Sequence, residues 1–215
     1  MLHHEISGNG KKPLVLLHGF MENTTIWNEM EAHLSKDFTL IKIDLPGHGK
    51  SKVYQEIHTV ELMAEKVKEV IDALKLEKIN LLGHSLGGYV SLAFAEKFPE
   101  ILESMTLFFS TTVADDEEKK AIRRRSIAVI DENFETFVKT SIPNLFSNNE
   151  KDILEGKIEL AKNIAKSTNK EGVKAAQLGM AERPDRTEIL ENLDAKILII
   201  AGKYDNAVKT ENLLK

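Results

Sequence analysis

Residues 79–88 read Ile79-Asn80-Leu81-Leu82-Gly83-His84-Ser85-Leu86-Gly87-Gly88. A short apolar run ends at a glycine, a serine stands two residues on, and a helical pattern starts directly behind it at Leu86. Gly-x-Ser-x-Gly by itself is weak, since at this chain's Gly and Ser frequencies it arises by chance in roughly three of every hundred such sequences. Its context narrows the reading. A serine on a strand-to-helix turn, flanked by glycines that carry no clashing Cβ, is held in a strained conformation that lifts Oγ above a sheet. The helix that follows adds unpaired N–H groups and a positive dipole end where an oxyanion would form. The bland alternative is a Gly-rich turn with a surface serine.

Outward from this turn the chain alternates. Residues 14–17, 40–43, 79–82, 105–109 and 197–201 are short, continuous apolar runs, the pattern of strands buried on both faces in a parallel sheet. Between them, Val60, Met63, Val67, Val70, Ile71 and Leu74 form a helical stripe with Thr59 as its N-cap. The helix from Leu86 is stopped by Pro99. Alternating strands and helices predict an α/β fold, a mostly parallel sheet with helices on both faces. The alternation breaks between about residues 112 and 183, which carry helical patterns only. Phe134, Phe137 and Val138 form one apolar cluster there, and Ile153, Leu154, Ile158, Leu160, Ala161 and Ile164 form a stripe. The expected organisation is therefore a core of residues 1–111, an all-helical cap of residues 112–183 over the carboxyl edge of the sheet, where ligands bind in open α/β folds, and a second part of the core from 184 to 215.

Composition bounds the chemistry. The 215 residues carry 42 % hydrophobic and 29 % charged residues, ordinary globular usage and enough chain for a sizeable core. A net charge of −5 and a pI near 5.9 argue against nucleic acid as a partner. With no cysteine, a thiolate nucleophile, a disulfide and a thiolate-bound metal are all excluded. The N-terminus lacks the basic and apolar regions of a secretory signal, and no apolar run reaches the ~20 residues of a membrane span. A cytoplasmic protein acting on a small molecule, with no cofactor, metal or membrane, is the expectation; the oligomeric state is left open.

Three further stretches bear on the site. Leu14-Val15-Leu16-Leu17-His18-Gly19-Phe20 is a strand entering a His-Gly turn. An acyl-transfer oxyanion needs two donors, which the backbone N–H groups of Leu86 and Phe20 would supply. His18 reads as an orienting histidine rather than a base. Asp44-Leu45-Pro46-Gly47-His48-Gly49-Lys50-Ser51 reads as a strand end tied down by Asp44 and His48. Past the last apolar run, Gly202-Lys203-Tyr204-Asp205 delivers a carboxylate suited to orienting a catalytic imidazole. The tract of residues 115–120, followed by Arg123-Arg124-Arg125, reads either as an anion-recruiting edge or, preferred, as a solvated helix in which Asp115 pairs with Lys119 and Asp116 with Lys120. Phe20, Trp27, Phe108, Phe109, Phe134, Phe137 and Met180 are candidate pocket side chains, Trp27, Phe109 and Met180 foremost.

These stretches, in this order and across nearly the whole chain, resemble the α/β-hydrolase superfamily, in its branch of small capped serine hydrolases. The resemblance implies Ser85 as nucleophile, Asp205 as triad acid, and cleavage of an ester, thioester or carbon–carbon bond through an acyl-enzyme. A serine here argues against the branches that use aspartate. One departure matters: in this fold the triad runs Ser, Asp, His, and the seven histidines are residues 3, 4, 18, 33, 48, 58 and 84. The resemblance implies a further strand, a histidine loop and a helix beyond residue 215, and near-inertness of these 215 residues alone. Two alternatives stand beside hydrolysis: a non-catalytic binding or interaction protein on this fold, and a lyase or synthase using the triad as a base.

Overall fold

The computed structural model describes residues 1–205 and residue 208. Six strands, β1 (His4–Ser7), β2 (Lys12–Leu17), β3 (Phe38–Ile43), β4 (Ile79–His84), β5 (Leu102–Phe108) and β6 (Lys196–Ile200), form one sheet in the order β1-β3-β2-β4-β5-β6. β1 runs antiparallel to β3 and every other pair is parallel. The five apolar runs are all strands. β1 escapes a sequence reading because His4-Glu5-Ile6-Ser7 holds one apolar residue; pairing with β3 makes it a strand.

The chain leaves β2 for β3 on one side and returns to β4 on the other. The loops after β2 and β4 therefore diverge, opening the crevice at which doubly wound sheets bind ligands. Leu17 stands opposite Gly83, His84 opposite Phe108, and Phe108 opposite Ile200. The turns carrying Phe20, Ser85, Phe109 and Asp205 thus leave the sheet along one carboxyl edge.

The helices α1 (Asn28–Leu34), α2 (Val60–Ala73) and α3 (Leu86–Lys97) flank the sheet. In α2 the stripe of Val60, Met63, Ala64, Val67, Val70 and Ile71 is buried, and the Thr59 hydroxyl accepts from Leu62 N–H at 3.1 Å as its N-cap. α3 is buried nearly all round, from Leu86 to Ala95, between the sheet and its neighbours. On the other face Leu14, Leu16, Leu40 and Leu82 close around Trp27.

β6 departs from expectation. Leu198, Ile199 and Ile200 are 54 %, 39 % and 38 % exposed rather than buried on both faces. The cause is position: among the described residues β6 pairs with β5 alone.

Between β5 and α7 (Thr187–Asn192) the chain forms α4 (Glu117–Ser141), a 3-10 turn (Ile142–Leu145), α5 (Glu155–Ser167) and α6 (Lys170–Glu182). α4 is interrupted at Asn133, whose extended backbone lets its side chain cap Thr136 N–H at 2.9 Å. These helices share a core of their own, built on Ile130, Phe137, Val138, Ile142, Ala165 and Val173 with Met21 of the β2 loop. Its two ends are clasped: Arg186 N–H donates to the Thr112 carbonyl at 3.0 Å, and the hydroxyls of Thr112 and Thr187 bond at 2.9 Å. The buried Arg186 guanidinium also holds Glu96 of α3 at 2.9 Å and Glu61 of α2. α6 lies close on the loop after β3, since a Cβ on Gly172 would stand 2.1 Å from the Gly47 carbonyl oxygen and one on Gly179 1.8 Å from that of His58. Among the described residues no helix is long and apolar enough to cross a membrane.

Candidate active site

Ser85 sits between β4 and α3 with φ +49° and ψ −111°, outside the regions open to most L-residues. Such a conformation costs about 1–3 kcal/mol and persists only where the surroundings dictate it. Here they do. Ser85 N–H donates to the Phe108 carbonyl at 3.0 Å, and its own carbonyl accepts from the Ser110 hydroxyl at 2.8 Å and Gly88 N–H at 2.9 Å. The flanking glycines are steric necessities: a Cβ on Gly83 would stand 2.3 Å from the Gly87 oxygen, and one on Gly87 2.3 Å from the Leu17 oxygen.

Leu86 is the first residue of α3, so its N–H has no helical acceptor. Phe20 N–H has no hydrogen-bond partner among the described residues. Phe20 lines the same two cavities as the elbow: one of ≈ 310 Å³ with Ser85, Tyr89, Phe109, Lys119, Arg123 and Met180, and one of ≈ 560 Å³ with Phe108, Phe109, Ile142, Phe146 and Leu154. Asp205 lines both. Its N–H donates to Gly202 O at 3.2 Å, and Oδ1 accepts from Val208 N–H at 2.9 Å. Trp27, expected as a pocket residue, instead lies 1 % exposed in the core, packed among Leu14, Leu16, Leu40 and Leu82. Phe134 and Phe137 pack inside the helical segment.

The histidines sort by their bonds. The ring of His18 bonds the Gly19 carbonyl through Nδ1 at 2.7 Å and accepts Leu45 N–H on Nε2 at 2.9 Å, which fixes a neutral, orienting tautomer. Burial lowers its pKa. His48 is pushed down to about 3, by burial first and by the neighbouring His18 second. Asp44 accepts from Thr24 N–H and Lys50 N–H at 2.8 and 2.9 Å, and so pins its loop.

Glu22 and His84 were not legible as site residues. Alternation along a strand directs His84 away from Ser85, yet its ring lines both cavities, because period-two alternation ends where Ser85 turns to positive φ. His84 Nδ1 lies 2.9 Å from Glu22 Oε2, which also accepts Gly19 N–H at 2.6 Å. One carboxylate thereby ties the loop bearing Phe20 to the elbow bearing Ser85. A Cβ on Gly19 would stand 2.6 Å from that oxygen, so a larger residue there would push the Glu22 carboxylate out of this position. Burial disfavours the charged imidazole, but Glu22, with Asp205 farther off, outweighs it and raises the His84 pKa. Burial likewise opposes the Glu22 carboxylate, and His84 more than offsets it, so its pKa falls. A raised histidine stabilises the fold below its ordinary value of 6.5 and loses that effect as pH rises through the raised value. A lowered glutamate stabilises above 4.5 and loses its effect as pH falls through the lowered value. Both contributions are complete between those ordinary values. In histidine NMR titrations His84 should ionise above the usual range, and Glu22→Gln should bring it down; an unmoved midpoint in that variant would contradict the pairing.

A sequence model of the α/β hydrolase fold matches residues 12–215. The chain belongs to the α/β-hydrolase fold family. A thermophilic esterase from Thermogutta terrifontis, solved with malate bound, superposes with a TM-score of 0.93 at 34 % identity, over 99 % of this chain and 79 % of the esterase. A putative 2-succinyl-6-hydroxy-2,4-cyclohexadiene-1-carboxylate synthase from Bacillus subtilis is 29 % identical over 212 residues, 92 % of this α/β-hydrolase and 75 % of the relative. An uncharacterized Mycobacterium tuberculosis protein is 35 % identical over 111 residues, 52 % of this chain; the match spans only 32 % of that protein's own length. Among the described residues no group of three His, Cys, Asp or Glu side chains could hold a metal ion.

Proposed function

We propose that this α/β-hydrolase is a serine hydrolase that cleaves an ester or thioester, or a carbon–carbon bond of similar reactivity, of a small organic substrate through an acyl-enzyme on Ser85. The observation that carries the reading is Ser85 itself: a non-glycine residue at φ +49°, braced by three hydrogen bonds at the wall of a cavity. A pure binding protein has no use for that strain. In the proposed reaction Ser85 Oγ attacks the carbonyl carbon, and the oxyanion accepts hydrogen bonds from Phe20 N–H and Leu86 N–H. The leaving group takes a proton, and water releases the acid from the acyl-enzyme. Asp205 orients the imidazole that moves the proton. Phe109 and Met180 shape the acyl and leaving-group sites. His84 is engaged with Glu22 and so is not assigned the part of that imidazole.

The likeness to the Bacillus subtilis synthase over 92 % of the chain favours one second reading, a lyase or synthase that uses the same serine as part of a base. The two differ in one intermediate. Rapid acid quench of the full-length gene product with a p-nitrophenyl ester, followed by intact-mass analysis, should show an acyl adduct that Ser85→Ala abolishes. Turnover without any adduct would support the second reading instead.

A further inference from the structure

We propose that Glu22 and His84 position the oxyanion site of Ser85: Glu22 locks the turn that aims Phe20 N–H, and His84 clamps that turn to the elbow while offsetting the carboxylate's charge. The inference deepens the serine-hydrolase reading and rests on it.

The turn needs holding. Residues 19–22 close on themselves through Glu22 N–H, which donates to the Gly19 carbonyl at 3.3 Å, with Met21 between them at φ +58°. A bulky residue at positive φ is strained and keeps that conformation only where its surroundings impose it. On one side the Met21 side chain is buried in the core of the helical segment. On the other, both backbone groups of Gly19 are pinned: its N–H donates to Glu22 Oε2 at 2.6 Å, and its carbonyl accepts from His18 Nδ1 at 2.7 Å. A trans peptide is planar with N–H and C=O opposed, so fixing the Gly19 carbonyl fixes the direction of Phe20 N–H.

The same Glu22 oxygen reaches the elbow. His84 Nδ1 donates to it at 2.9 Å, and a Cβ on Gly19 would stand 2.8 Å from that nitrogen, so ring and turn are in direct contact. His84 precedes Ser85, and Leu86, the second donor, follows it. One oxygen therefore sets the spacing of the two N–H groups that would grip the oxyanion. Phe108 and Phe109 hold the His84 ring at centroid distances of 5.7 and 6.3 Å, so a change in its charge leaves the ring in place and alters the electrostatics.

Both side chains of the pair are about a quarter exposed, and both line the two cavities. An unpaired carboxylate bonded to this turn would oppose negative charge growing on the substrate oxygen; paired with a charged imidazole it does not. Against burial, Glu22, with Asp205 beyond it, keeps His84 charged to higher pH than a free imidazole. His18, just past β2, is kept neutral by burial. Lys119 and Arg123 of α4 share the smaller cavity, and Glu150, Lys203 and Tyr204 the larger, so variants rather than a pH profile alone assign the effect.

The test is steady-state turnover of a p-nitrophenyl ester by the full-length gene product, with thermal melting and fluorophosphonate labelling alongside. Glu22→Ala should lower kcat about ten- to a hundred-fold with KM within about two-fold, since losing an oxyanion donor outright costs about 10²–10³ and misplacing one costs less. Glu22→Gln, which keeps an acceptor for Gly19 N–H, should recover most of that loss. In the wild type kcat should fall several-fold as pH rises through the His84 ionisation. That alkaline limb should vanish in Glu22→Gln, where no charge is left to offset, and in His84→Gln, where kcat should be low throughout. A kcat within about two-fold of wild type in Glu22→Ala, equal losses in folded Glu22→Ala and Glu22→Gln, or an alkaline limb unchanged in Glu22→Gln and His84→Gln would overturn the proposal. Should Glu22→Ala unfold, the alkaline limb in the other two variants decides. A wild-type product that stays unlabelled removes the hydrolase reading and this inference together, whereas a labelled product indifferent to residue 22 removes this inference alone.

Discussion

Replacing Ser85 with alanine is expected to lower ester turnover by the full-length gene product on the order of a millionfold, the scale on which losing a triad serine acts elsewhere. The loss is this large because no other group takes over. These 215 residues hold no cysteine, and the described histidines of the site are committed to Gly19 and Leu45 or to Glu22. The fold should survive, since the bonds bracing residue 85 all run through its backbone. The check is a comparison of kcat with thermal midpoint: a collapse in the first with little change in the second. Comparable losses in both would mean that the serine is structural.

Gly87→Ala should have the largest effect on stability, at about 3 kcal/mol or more, because overpacking against rigid backbone leaves no cheap relaxation. The added Cβ would meet the Leu17 carbonyl oxygen at 2.3 Å, its carbon at 2.7 Å and the His18 oxygen at 2.8 Å. To admit it, α3 must withdraw from β2, which drags Leu86 from the elbow and opens the packing around Val15 and Leu17. Gly156→Ala in α5 is the matched control. Nothing lies within 4 Å of its Cβ position, and alanine is the better helix former by up to about 1 kcal/mol. Urea unfolding of both variants tests the contrast, and equal midpoints would show that Gly87 is not a packing requirement.

The frame of this protein was legible because its signals are local. Apolar runs without alternation gave the five parallel strands, and Thr59 and Pro99 bounded two helices. β1 was hidden because its strand character comes from a partner 36 or so residues away, Phe38–Ile43, rather than from its own four residues. At the site, the Ser85 turn is written in consecutive residues, and so could be read. The Glu22–His84 bond joins positions 62 apart, and the strand rule applied to His84 fails at the very turn that follows it. Asp115 follows the expected pairing with Lys119, at 3.6 Å, but is buried at 5 % exposure rather than solvated. Its i,i+4 partner Lys119 is visible in sequence, whereas Arg183, 68 residues on, is what buries it. Trp27 shows the converse limit, since an aromatic residue near a motif carries no mark of whether it faces a cavity or the core.

The central question is whether the residue in the strained turn is a nucleophile. Intact-mass analysis after exposure to a fluorophosphonate, run on the full-length gene product and its Ser85→Ala variant, asks this directly. One adduct is predicted on the full-length product and none on the variant. A folded full-length product that stays unlabelled, or one still labelled after Ser85→Ala, would contradict it.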